Sequence, residues 1–328
     1  MTSKRPPIIV LSGPTACGKS DLALRLATML DVEIVTADSQ QVYSGLDVGT
    51  AKPTMSDRAR VPHHLLDIAS PGDQLTAAQF VRLADDAILA IADRGRTPLI
   101  VGGTGLWLRA LLRGLVDAPS RDTVLRDELM AEEETSGAGT LHRKLSRLDP
   151  KTADRLHPND LVRIVRALEV YELSGRTLSE HHSRHGFQTR RYPYRFFALT
   201  IERTELRSKI STRTGAMLEA GWVEEVRGLL AAGVSRTRLE KVIGYGELAS
   251  HLLGELRLEE ARDRIVSRTW RYAKRQLMWL RKEPQVEWLR PPVDVETVAG
   301  AAVVKKSSTG VGHLAASPGM TRESSGES

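Results

Sequence analysis

The stretch that most constrains this chain is Gly13-Pro14-Thr15-Ala16-Cys17-Gly18-Lys19-Ser20. It follows an apolar run, Ile8-Ile9-Val10-Leu11, and precedes a helical pattern, Leu22-Ala23-Leu24-Arg25-Leu26-Ala27. Strand, glycine loop and helix in that order are what a phosphate-binding P-loop requires. Gly13 and Gly18 let the backbone curl until successive N–H groups point inward at an anion. The helix opening at the loop adds the positive end of its dipole at the same spot. Lys19 is placed to reach the outer phosphates of a diphosphate or nucleotide, and the Ser20 hydroxyl to hold Mg²⁺. A bare glycine turn that happens to precede Gly-Lys-Ser is the competing explanation, and the flanking strand and helix argue against it.

The rhythm continues after the first helix. Residues 32–37 read as a second strand that ends at Asp38-Ser39-Gln40-Gln41-Val42-Tyr43. In a doubly wound sheet, residues just past a strand's C-terminal end face the ligand crevice, which puts Asp38 beside the P-loop. Capping a helix or turn is its plainer role. Residues 46–53 form a loop punctuated by glycine and proline. Thr76 and Gln79 have capping-box spacing at the start of an amphipathic helix running to Arg94, with Gly95 as its stop. Pro98-Leu99-Ile100-Val101 is another buried strand and runs into Gly102-Gly103-Thr104-Gly105, again on the crevice side. The alternation predicts an α/β fold, a parallel sheet of the P-loop NTPase type flanked by helices and built from residues 1–116 and 195–295.

Between residues 117 and 194 the pattern changes to helices rich in Arg and His, which reads as a mostly helical insertion carried on that core. Leu161, Ile164, Leu168 and Tyr171 make one apolar stripe there, while Arg163 and Arg166 project from another face. Residues 196–201 return to a strand, and helices are expected over 204–220, 222–232 and 259–282. In the last of these, Val266, Trp270, Ala273, Leu277 and Leu280 form the expected buried stripe, with Arg264, Arg268, Arg271 and Arg275 as a second stripe. From Ala261 to Lys282 there are eight Lys or Arg and one acidic residue, Asp263. A solvated face normally mixes signs, so this stripe, on a chain of net charge +6, points to a polyanionic partner. Beyond about Val295 apolar periodicity vanishes, and 296–328 read as a disordered tail. The lone cysteine, Cys17, excludes a disulfide framework and a cysteine-based zinc site and fits a reducing cytoplasm. No apolar run approaches a membrane span and no signal peptide precedes Ile8, so a cytoplasmic protein is expected; the chain is also expected to be a monomer.

A P-loop alone leaves a small-molecule kinase open, with Asp38 holding Mg²⁺ or positioning the nucleophile. Four further blocks narrow it: Asp38 through Tyr43, Asp47-Val48-Gly49-Thr50-Ala51-Lys52-Pro53, Val101 through Gly105, and Tyr272-Ala273-Lys274-Arg275-Gln276. In this order, with Gly13-Pro14-Thr15 ahead of them, they closely resemble the tRNA dimethylallyltransferase family from about Ile8 to Trp288. The resemblance implies transfer of a dimethylallyl group from dimethylallyl diphosphate to N6 of adenosine 37, in tRNAs reading codons that begin with U. It implies Asp38 as general base, Thr15 and Thr104 as contacts to the diphosphate and the reaction centre, and Arg213, in Ile210-Ser211-Thr212-Arg213, as an extra cation on the diphosphate. It further implies tRNA contacts at Asp38, Ser39, Gln40, Gln41, Thr104 and Arg126, at Val162-Arg163-Ile164-Val165-Arg166, and at Lys241-Val242-Ile243-Gly244-Tyr245-Gly246. Without the resemblance, Arg126, Arg163 and Arg213 read as surface charges.

The chemistry agrees with that expectation. An allylic C–O bond breaks with cationic character on carbon and growing negative charge on the diphosphate, where Lys19, the loop amides and Mg²⁺ are placed to meet it. The adenine amine is a poor nucleophile, so a carboxylate within hydrogen-bond reach is needed to take its proton. The base must also leave its stack to reach a buried carbon donor. The family's eukaryotic zinc module has no counterpart here, and His181, His182 and His185 read as surface or RNA-facing rather than metal ligands. Rivals are a prenyltransferase acting on free AMP or ATP, a small-molecule kinase, and a nucleotide-switched RNA-binding protein.

Overall fold

Successive side chains of a strand point to opposite faces, and that decides which layer each residue joins. In a computed structural model that describes residues 5–185 and 190–302, β1 (Ile8–Ser12) runs through the glycine loop into α1 (Lys19–Ala27), and β2 (Val32–Thr36) follows. Next come α2 (Met55–Arg60), the two-residue β3 (His63–His64), α3 (Ala77–Asp93), β4 (Thr97–Val101) and α4 (Gly105–Arg113). The helices α5 (Thr123–Ser136), α6 (Thr140–Leu148), α7 (Pro150–Ala153), α8 (Leu161–Ser174) and α9 (Leu178–His185) come before the chain re-enters the sheet as β5 (Tyr194–Leu199). It continues through α10 (Arg203–Glu219), α11 (Trp222–Ala231), α12 (Arg236–Glu240), α13 (Tyr245–Leu252) and α14 (Leu258–Leu280). It closes with β6 (Val286–Leu289) and α15 (Val295–Ala302).

All six strands are parallel, in the order β3-β2-β4-β1-β5-β6. Ile8, Val10, Val35 and Ile100 face one layer with Phe80 and Ile88 of α3 and Leu108 and Leu111 of α4. Ile9, Leu11, Ile34 and Leu99 face the other, with Leu22 and Leu26 of α1. Both faces are covered, which is why the strands read as continuous apolar runs. The expected capping box forms: the Gln79 N–H donates to Thr76 Oγ1 and Gln79 Oε1 accepts from the Thr76 N–H. The short edge pairings β3 and β6 carry too few apolar positions to announce themselves in sequence.

Two expectations need correction. The start of the supposed disordered tail is helical: Val295, Val298, Ala299 and Ala302 recur at helical spacing and pack with α1 on the second layer. Small residues hid the stripe, because alanine carries little hydrophobic signal. The rest of that expectation, 303–328, lies outside the described residues. On α14 the buried positions are Ala261, Ile265, Ala273, Gln276 and Leu280. Val266, Trp270 and Leu277 are only partly buried, against a small cluster with Leu206 and Ile210 of α10.

Helices α5 to α9 enclose their own core around Leu129, Leu141, Leu145, Ile164 and Leu168. Beside it Glu169, fully buried, accepts from Arg126 (2.7 and 2.8 Å), from Arg166 (2.6 Å) and from the Asp122 N–H (2.8 Å). Burial opposes the charge, but the two guanidiniums prevail and hold this carboxyl at about 2. Its folded value lies below the ordinary carboxylate value, so the stabilisation is complete above about pH 4.5 and is lost as pH falls towards 2. Acid unfolding followed by circular dichroism should therefore show a transition in that window that Glu169→Gln flattens. Arg126→Ala should cost about 3 kcal/mol in denaturant unfolding, because it strips a partner from a buried charge.

Candidate active site

The strand order makes the site. Because β4 lies between β1 and β2, the segments that leave their C-terminal ends stand side by side: Thr15 after β1, Gly103 and Thr104 after β4, Asp38 after β2. In the glycine loop Gly13, Ala16 and Gly18 all take positive φ, and Gly18 is the N-cap of α1. Lys19 Nζ arches back to donate to the carbonyls of Gly13 (3.0 Å) and Pro14 (2.7 Å). From α14, Gln276 clamps the arrangement. Its Oε1 accepts from the Thr15 N–H (2.8 Å), and its Nε2 donates to Gly103 O (3.0 Å).

Arg213 reaches the same spot from α10, donating to Thr15 Oγ1 at 3.2 Å. Burial draws its pKa below the usual arginine value, while the charges of Asp38 and Cys17 work against that. A desolvated guanidinium is a strong partner for an anion. Asp38 Oδ1 accepts from the N–H groups of Gln40 (2.8 Å) and Gln41 (3.4 Å), so the carboxylate does cap its turn. Among the described residues no protein hydrogen bond engages Oδ2. The Ser39 N–H donates to Thr104 Oγ1 (3.1 Å), tying the loop after β2 to the one after β4.

These groups open on a cleft of about 380 Å³. One wall is the face of α10 that carries Ile210, Arg213, Thr214 and Met217; α14, packed against α10, contributes Ile265, Thr269, Tyr272 and Gln276. Trp222 and Val242 add apolar surface, Arg275 and Lys241 add charge, and Arg268 lines the cleft while paired with Glu247 (2.6 Å). The loop 46–50 is held from behind by Glu225 of α11, whose carboxylate accepts from the N–H groups of Asp47 (3.0 Å), Val48 (2.7 Å) and Gly49 (3.3 Å) and from Tyr245 Oη–H (2.6 Å). Burial, with Glu225 close by, pushes the Tyr245 phenol well above its ordinary value. Trp222 is wedged between Gly49 and Gly244: a Cβ at either would stand 2.1 or 2.0 Å from the indole.

The structure thus brings together at one cleft Thr15, Ala16, Lys19, Ser20, Asp38, Ser39, Gln40, Gln41, Arg213, Lys241, Val242 and Ile243. Gly13, Pro14 and Cys17 are buried in the body of the loop. Other expected contact residues are not on offer as side chains. Arg126 and Arg166 are committed to Glu169, and Ile164 and Val165 belong to the core of the inserted helices. Tyr245 is fully buried, and Gly246 packs on the backbone of Glu240. Val162 (77 % exposed) and Arg163, paired with Asp160, remain at the surface. Sequence reasoning gave no role to Gln276, Trp222 or Glu225. Gln276 stood inside a recognised block, whereas Trp222 and Glu225 had no local signal.

Fold and site define an α/β protein of the P-loop class whose glycine loop faces a carboxylate and a basic helix. A family model described as IPP transferase matches residues 41–283, and one described as isopentenyl transferase matches residues 6–67. The tRNA dimethylallyltransferase of Anaeromyxobacter dehalogenans (strain 2CP-C) is 52% identical over 294 residues, 89% of this chain and 97% of the relative. The tRNA dimethylallyltransferase 1 of Trichlorobacter lovleyi is 48% identical, covering 91% and 98%. Among solved structures, the tRNA isopentenylpyrophosphate transferase of Bacillus halodurans superposes with a TM-score of 0.66 at 37% identity, over 91% of this chain and 94% of that one. A eukaryotic dimethylallyltransferase acting on tRNA gives 0.75 at 28% identity, over 89% and 75%. The chain belongs to the IPP transferase family.

Gln276→Leu keeps the volume but orphans the Thr15 N–H and the Gly103 carbonyl. It should lower stability by about 1–3 kcal/mol in denaturant unfolding, with amide exchange rising first in the glycine loop.

Proposed function

We propose that this protein transfers the dimethylallyl group of dimethylallyl diphosphate to N6 of adenosine 37 in tRNAs reading codons that begin with U, releasing diphosphate. The observation that carries the reading is that Lys19 and a desolvated Arg213 share one cleft with the Asp38 carboxylate. Its curated relatives are tRNA dimethylallyltransferases, which adds to it. The glycine-loop amides, Lys19 and Arg213 bind the diphosphate and stabilise it as the allylic C–O bond breaks and the electron pair departs with oxygen. The adenine N6 lone pair forms the new N–C bond, and Asp38 takes the proton that N6 sheds. The turn-capping bonds to Oδ1 fix the carboxylate, leaving Oδ2 for that proton.

Ser20 lines the cleft beside Lys19, so its Oγ would give one protein oxygen to Mg²⁺, an ion that keeps several waters and takes its other ligands from substrate phosphates. When bound it supplies further charge for the departing diphosphate. Arg264, Arg271 and Arg275, all exposed on α14, and Arg163 on α8 are the cations suited to the anticodon stem-loop, which is read through backbone and splayed bases. That same row of cations favours RNA over free AMP as acceptor. Among the described residues no helix is long and apolar enough to cross a membrane, and a cytoplasmic location fits the tRNA substrate.

The test is nucleoside mass analysis after incubation with labelled dimethylallyl diphosphate and an anticodon stem-loop, with free AMP in parallel. N6-dimethylallyladenosine and diphosphate should appear without ATP consumption, whereas brisk ATP use with a metabolite would overturn the reading. Asp38→Ala should cut transfer by about 10²–10⁴-fold and leave tRNA binding nearly intact. If binding and transfer fall together, the base is misassigned. Arg213→Ala should cost about 10²–10³-fold in kcat.

A further inference from the structure

The cleft has a measurable depth beyond its phosphate end. Arg213 and Met217 are four residues apart on one face of α10, about 6 Å along the axis, and both line the cleft. Arg213, bonded to Thr15, marks where the diphosphate sits. The in-line carbons of a dimethylallyl group span three bonds, about 4 Å, and those of a ten-carbon allylic chain seven bonds, about 9 Å. A chain that starts level with Arg213 and runs along this wall therefore stops short of Met217 if it has five carbons and overruns it if it has ten.

Beyond Met217 in the chain, Trp222 lines the same cleft. Helix α10 ends at Glu219, and Trp222, the first residue of α11, stands there 2% exposed. The backbones of Gly49 and Gly244 press on the indole, leaving it no room to swing aside. Met217 is different: it packs at the edge of the main core, half-buried, unbranched and flexible, so trimming it opens space on the cleft side. The cleft is also near the small end for a ligand site, where about 300 Å³ is the lower limit, and it has to admit a purine as well.

We propose that Met217, backed by Trp222, is the gauge that limits the prenyl donor to five carbons. The inference rests on the transfer reading above and adds to it the residue that sets donor length.

The experiment compares the full-length wild type, Met217→Ala, Met217→Phe and the volume-conserving Met217→Leu, each with an anticodon stem-loop and with dimethylallyl or geranyl diphosphate. Wild type and Met217→Leu should favour the five-carbon donor by about 100-fold or more in kcat/KM. Met217→Ala should narrow that preference at least tenfold, mainly through a lower KM for geranyl diphosphate. Met217→Phe should raise the KM for dimethylallyl diphosphate at least tenfold while tRNA binding stays put. An unchanged donor ratio in Met217→Ala together with an unchanged KM in Met217→Phe overturns the gauge and leaves the transfer reading standing, as does a wild type that uses both donors equally well. A wild type inert with dimethylallyl diphosphate overturns the transfer reading, and the gauge with it.

Discussion

The arrangement turns on one buried amide. Gln276 satisfies the Thr15 N–H and the Gly103 carbonyl together, so the loops leaving β1 and β4 are locked to α14. Neither loop group has a strand partner at that point, and an unpaired polar group at such depth is costly. The same helix presents Arg264, Arg271 and Arg275 to solvent. One helix therefore carries both the clamp on the glycine loop and a row of exposed cations.

Charge in this chain divides by burial rather than by count. Arg126 and Arg166 are spent on Glu169, and Arg268 on Glu247, so they knit helices together. Arg213 is partly stripped of water and shares one cleft with Asp38, and a desolvated guanidinium pairs strongly with an anion. Net charge alone gives no hint of this division, because pairing and desolvation are properties of neighbours.

Helix α11 does for the far side of the cleft what Gln276 does for the near side. The Glu225 carboxylate gathers three consecutive amides of the loop 46–50 and the Tyr245 hydroxyl, while Trp222 fills the space between Gly49 and Gly244. Segments separated by nearly two hundred positions thereby become one wall. The two glycines are required for lack of space, since any side chain there would occupy the volume of the indole.

The glycine loop, the strands around it, the capping box at Thr76 and the carboxylate at Asp38 were legible in the sequence because each is written in neighbouring residues: period, cap and spacing act within a turn or two. The tail helix α15 escaped because small apolar residues make a faint stripe, and the edge strands because two to four residues carry no period. What only the tertiary structure decided is which charges are free, which glycines are crowded and what lines the cleft. Arg126 looks like any surface arginine until Glu169 arrives from 43 positions away, and Trp222 like any core aromatic until two distant glycines press on it. Local pattern determined the chemistry the chain is equipped for; long-range packing in a low-dielectric interior determined where that chemistry is aimed and how large a substrate it admits.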